Sequence, residues 1–142
     1  LWNYLRDREG LLKKMRRGLA EGGRLVSTFS SQVNTGDVNR LLEPVLRKKV
    51  LESYRERCHA FEAEMEELFA GEFSGVSRKV FHNSLRIEQP EELLRYLCNL
   101  DGELEMRIKA REQEVRKYLQ ELARQGKTPE IGTEGSCYCC RR

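Results

Sequence analysis

The strongest structural signal in this chain lies between Leu51 and Leu68. Leu51, Tyr54, Cys58, Phe61, Met65 and Leu68 recur at alternating spacings of three and four. Residues three and four apart share one face of an α-helix, so the six form an apolar stripe with a period of about 3.5 residues. The residues between them are mostly Glu, Arg and Ala, which suit a solvated face. A long amphipathic helix of this kind needs apolar partners, and the rest of the chain must supply them.

A second series begins at the start of the chain. Leu5, Leu12, Leu19, Val26 and Val33 fall seven apart, with Leu1, Met15 and Phe29 at the companion position and Arg8 and Gly22 interrupting it. Gly22-Gly23 costs ~1 kcal/mol per glycine inside a helix. The unbroken register therefore predicts one bent helix over residues 1–33. Asn34-Thr35-Gly36-Asp37 reads as a turn, with Thr35 or Asp37 able to cap the next helix.

The second helix is expected over residues 37–70, kinked or restarted at Pro44, which cannot donate a backbone hydrogen bond. Residues 71–89 read as a connector, in which Val76, Val80, Phe81, Leu85 and Ile87 fit either a short helix or an extended linker. Pro90 followed by Glu91 and Glu92 suits a helix N-terminus. A third helix is expected over 90–125, stopped by Gly126. Its apolar positions, Leu93, Leu97, Leu100, Leu104, Ile108, Val115, Tyr118 or Leu119, and Leu122, average nearer 3.6 residues. The remainder, 127–142, is rich in Gly, Thr, Pro and Glu and reads as a flexible tail carrying cysteines.

These elements predict an all-α fold: an elongated up-down-up three-helix bundle over residues 1–126, packed like a coiled coil, with a flexible C-terminal tail over 127–142. Charge supports this order. Residues 1–24 carry seven Lys/Arg against three Asp/Glu, residues 62–72 carry five Glu and no base, and residues 88–105 carry six acids and Arg95. An up-down-up path sets the basic segment among the acidic ones. Residues 40–57, with six bases, and 107–127, with seven, would then make the opposite end positive. The core would hold Leu12, Leu19, Leu51, Phe61, Met65, Leu68, Leu97, Leu100, Leu104 and Leu122.

The chain of 142 residues has 39% hydrophobic and 35% charged residues, a balance that suits a helical domain with a narrow core. Its net charge of +3 does not by itself imply nucleic acid. No apolar run approaches the roughly 18 residues needed to span a bilayer, so an intracellular, cytoplasmic protein is expected, with membrane association through its tail as the variant. Leu1 in place of Met suggests an excised domain or processed product. The five cysteines, with Cys58 and Cys98 in helices and three crowded at the end, do not resemble a secreted disulfide framework.

The tail cysteines Cys137, Cys139 and Cys140 beside Arg141 and Arg142 suit reversible S-acylation, in which several acyl chains and nearby bases hold a protein to a membrane. Lys48, Lys49, Lys109, Arg111, Arg116, Lys117, Arg141 and Arg142 are the candidate contacts to an anionic surface. Three cysteines at cramped spacing fall short of a zinc site, and His59 and His82 are distant in sequence. No phosphate loop, zinc-protease helix or nucleophile elbow is present. The sequence therefore assigns no catalytic residue, metal or cofactor.

The function expected is a non-enzymatic interaction or scaffold domain that mediates protein–protein association or self-association. The first alternative is a peripheral membrane module held by acylated tail cysteines and a basic bundle end. A nucleic-acid-binding helical domain ranks behind it, because aromatics that could stack on bases are scarce, at 8%. The expected partners are proteins, including a second copy as a homo-oligomer, and an anionic membrane surface, with nucleic acid less favoured.

Overall fold

The computed structural model describes residues 2–142, apart from the side chains of Asn3, Ser30 and Ser31. A 3₁₀ turn at Trp2–Tyr4 precedes α1 (Arg8–Gly18), β1 (Arg24–Val33), α2 (Thr35–Leu46), α3 (Glu52–Glu72), β2 (Gly75–Arg86), α4 (Pro90–Cys98), α5 (Gly102–Lys109), α6 (Glu112–Arg124) and β3 (Glu130–Arg141). This is a mixed α/β fold. It corrects the expected all-α three-helix bundle, its coiled-coil packing and its flexible tail.

Each correction has a local cause. The first expected helix ends at Gly18, where Leu19 turns to an extended backbone (ψ 139°), and Gly22 adopts a φ of +73°. Beyond that turn the chain is a strand, where faces alternate every residue. Heptad partners Val26 and Val33 lie an odd number apart and so cannot share a strand face. Val26 is 60% exposed while Val33 is buried.

The second expected helix is two helices. α2 passes through Pro44 but ends two residues later, with Arg47 in the left-handed region at φ 54°, and the chain restarts as α3 at Glu52. The third is three helices. Asp101 caps α5, its side chain accepting from the N–H groups of Glu103 and Leu104, and α6 begins after Arg111. The connector is β2 and the tail is β3. Among the described residues, no helix is long and apolar enough to cross a membrane.

The strands form one sheet in the order β1-β3-β2, with the expected tail in the middle. The N–H of Asn34 donates to the carbonyl of Gly132, and that of Arg142 to the carbonyl of Gly23. As residue numbers rise on one strand they fall on the other, so β1 and β3 are antiparallel. The N–H of Ser74 donates to Arg141 and the Ser77 hydroxyl to Cys139, which makes β2 antiparallel to β3 as well.

The chain divides into two compact units. Unit 1 comprises Leu1–Ser31, Cys58–Phe81 and Gly135–Arg142, and unit 2 comprises Gln32–Arg57 and His82–Glu134. In unit 1, Trp2, Leu12, Met65, Phe69, Phe73, Tyr138 and Cys140 are buried together, with Phe29 and Phe61 packed against them. Ring pairs dominate this core. Phe29 meets Tyr138 at 5.3 Å and Phe61 at 5.7 Å, and Trp2 meets Phe69 at 5.8 Å, all edge to face. Such pairs contribute about 0.5–1.5 kcal/mol each beyond the area they bury. The Trp2 indole N–H donates to the buried Ser27 hydroxyl at 2.7 Å, so its one polar group is satisfied.

Unit 2 is aliphatic. Val38, Leu42, Leu93, Leu97, Leu104, Ile108, Val115, Leu119 and Ile131 form its centre, with α6 packed against α2, α4 and α5. Of the expected core residues, Leu12, Leu51, Met65, Leu97 and Leu104 are buried. Leu19, Phe61, Leu68, Leu100 and Leu122 are partly buried against one core or the other.

Candidate protein-interaction surface

Within unit 1, β1 and β3 have two unlike faces, whereas β2 is exposed on both, with Val80 42% exposed on the side of Arg78. Leu25 and Phe29 of β1 pack into the aromatic core, and Ser27 is buried with Trp2. Tyr138 and Cys140 of β3 are fully buried, and Ser136 is nearly so. By strand alternation, Arg24, Val26 and Thr28, Gly135, Cys137, Cys139 and Arg141, and Ser77, Lys79 and Phe81 lie on the other face. Val26 is 60% and Phe81 40% exposed there. The Phe81 ring lies directly over Gly135, in space that a Cβ would occupy. Glycine in the middle strand is therefore required by the ring on its neighbour.

The covered face is held to α3 by a polar network. Arg78 reaches inward from β2, donating to Glu62 at 2.7 Å and to the Ser136 hydroxyl at 3.1 Å. Ser136 donates to the same Glu62 oxygen, and the Tyr138 hydroxyl donates to Glu66 at 2.9 Å. Burial first, then the bond to Glu66 and the charge of Glu62, push the Tyr138 phenol well above its ordinary range. Burial pushes the Cys140 thiol up to about 11. Both groups are therefore neutral at physiological pH.

The two outer edges of the sheet differ in charge. β2 carries Arg78, Lys79, His82 and Arg86. Inward-pointing charges and edge lysines are devices that keep a strand edge from pairing, and Arg78 is such an inward charge. β1 has neither charge nor proline from Leu25 to Val33. Its alternation is unbroken from Leu25 to Phe29, and the Gly23 carbonyl is bonded toward β3. The N–H and C=O groups of Val26 and Thr28 therefore point away from β3. Among the described residues no strand pairs with them. A long, uncharged edge of this kind is a template for another strand.

The cysteines expected to carry acyl chains lie on this central strand, not on a flexible tail. Cys140 is buried, and Cys137 and Cys139 are partly buried. The candidate anionic-surface residues divide between the units. Lys48 and Lys49 are exposed between α2 and α3. Lys109 is bonded to Glu105 at 2.6 Å, and Arg116 to Glu112 at 2.7 Å and to Glu91. Arg111 pairs with Glu114, and Lys117 is exposed on α6. Lys109, Arg111 and Arg116 line one surface cavity, but Glu112 and Glu114 line it too. These six belong to unit 2, whereas Arg141 and Arg142 belong to unit 1, where Arg142 donates to the Leu19 carbonyl.

Sequence reasoning missed Val26, Thr28 and Phe81 as surface-forming residues. The available signals were the Gly22-Gly23 turn before the β-branched and aromatic run at 25–33, and the alternation of Cys137-Tyr138-Cys139. Among the described residues, no three His, Cys, Asp or Glu side chains converge as metal ligands. Neither a protein-family model nor a curated protein matches the chain.

Proposed function

We propose that this chain is a non-enzymatic protein-association module and that a partner strand adds to the outer edge of β1. The observation that supports this is the contrast between the edges: β2 carries four basic or ionisable side chains, and β1 carries none from Leu25 to Val33. Added strands gain affinity from main-chain hydrogen bonds and specificity from alternate side chains. An edge with free N–H and C=O groups and no charge supplies both.

Thr28→Pro tests the reading. The Thr28 N–H points away from β3, so proline there removes a donor to the partner and leaves the β1–β3 ladder intact. Thr28→Lys serves as a second variant that keeps the backbone donor but guards the edge with charge. Affinity purification from cells, with quantitative comparison against wild type, is expected to lose specific protein partners in both variants. Sedimentation velocity of the purified chain shows whether one such partner is a second copy. Recovery of the same partners by both folded variants would contradict the reading.

A further inference from the structure

The uncovered sheet face carries more information than the edge does. Its unit 1 residues present Val26, Phe81, Cys137 and Cys139 as an apolar strip, with Arg24, Lys79 and Arg141 around it. These strand segments contain no Asp or Glu. Among the described residues, none of the three cations is in an ion pair. On α1, Arg8 pairs with Glu64, Lys13 with Glu9 and Glu72, and Arg16 with Glu72, while Lys14 and Arg17 stand in no ion pair among the described residues. Three unpaired cations and no carboxylate therefore lie on the strand face that is left uncovered.

We infer that this face takes an acidic amphipathic helix of a partner protein, with an apolar stripe seated on the strip and carboxylates on either side. The inference rests on the association reading above and adds the chemistry of what is bound. Width favours a helix. Strands spaced about 4.8 Å apart make a three-stranded face about 10 Å across, close to the diameter of one helix with its side chains. Charge favours acid on that helix, because three unpaired cations border the strip and carboxylates would neutralise them. Charge also disfavours a second copy stacked face to face, since that would set Arg24, Lys79 and Arg141 against the same three residues.

The test uses two synthetic helical peptides that share a leucine stripe, one flanked by glutamates and one by lysines, titrated into the full chain by isothermal calorimetry. Three exposed charge pairs together make a difference of about 10-fold in affinity. Wild type is expected to bind the glutamate peptide at least that much more tightly, with the difference shrinking as salt is raised. Lys79→Glu combined with Arg141→Glu is expected to remove or invert the preference, and Val26→Ser to weaken both peptides. Arg24→Glu alone provides the same reading with a single exposed change. Equal affinities, a preference for the lysine peptide, binding of neither at millimolar concentration, or a face-to-face dimer lost on Val26→Ser would each overturn the inference. These outcomes leave the edge reading intact, because that reading is tested separately, by Thr28→Pro and Thr28→Lys.

Discussion

Unit 1 and unit 2 solve the problem of burial in different ways. Unit 2 wraps helices around an aliphatic core, and several of its exposed charges are paired along the helices, as in Glu103–Arg107, Glu105–Lys109 and Glu112–Arg116. Unit 1 packs aromatic rings against one side of a sheet and leaves the other side with Val26 and Phe81 exposed beside unpaired cations. A helix can satisfy its own backbone and most of its surface locally. A sheet has two faces and two edges, and unit 1 closes one face only. The proposed partner surface follows from this difference: it is the face and edge that unit 1 leaves open.

Emptying each core separately challenges this contrast hardest. Tyr138 is fully buried in unit 1 and Leu97 in unit 2. Tyr138→Ala is expected to cost about 4 kcal/mol and Leu97→Ala about 3 kcal/mol. Hydrogen exchange should show the first variant opening β3 and α1 and the second opening α4 to α6. Identical exchange patterns in the two variants would show that the cores are not distinct.

Smaller effects are expected where the sheet is tightly specified. Gly135→Ala forces a methyl group into the Phe81 ring and should cost about 2 kcal/mol in denaturant unfolding, part of it recovered by Phe81→Leu. A neutral Gly135→Ala would mean that the ring does not lie where the sheet places it.

Alkali should also act on unit 1. The Cys140 thiol titrates near 9.0 in the unfolded chain and about 11 when folded. Between those values the unfolded chain has released its proton and the folded chain has not. Stability present below pH 9 is therefore lost as pH rises toward 11, by ~2 kcal/mol, and Tyr138 adds a loss of the same sign above its ordinary range. Cys140→Ala is expected to make the decline shallower, which chemical denaturation across that range would measure.

The smallest effect belongs to unit 2. Asp101→Ala removes the cap of α5 and the partner of Arg57, and should cost about 1 kcal/mol with the sheet amides unaffected.

The same contrast explains what was legible in the sequence. Helical periodicity is a local signal, and α3 lies where the stripe through Phe61, Met65 and Leu68 puts it, with Met65 fully buried. Pro90 opens α4, whereas α2 is capped by Asn34 and not by the expected Thr35 or Asp37. Strands were not legible for equally physical reasons. The sevenfold spacing of Leu5, Leu12 and Leu19 continued by chance through Val26 and Val33, across a turn and into a strand. β2 is exposed along most of its length, so its side chains show little of the alternation that marks a half-buried strand. β3 becomes a strand by pairing with β1 and β2, which are distant in sequence. The alternation of Cys137-Tyr138-Cys139 is a strand signal, but nothing within Gly135–Arg142 says which strands it pairs with or that it lies in the middle of a sheet. The candidate surface was missed with the strands that form it.

Whether a partner strand docks on β1 is decided by residue-resolved amide hydrogen exchange on the free chain and on the chain recovered with its partner. Fast exchange is expected at Val26 and Thr28 in the free chain, because their N–H groups point away from β3, with strong protection at both in the complex. Protection that is already present in the free chain, or that arises on binding along α6 or β2 while Val26 and Thr28 stay fast, would contradict that docking.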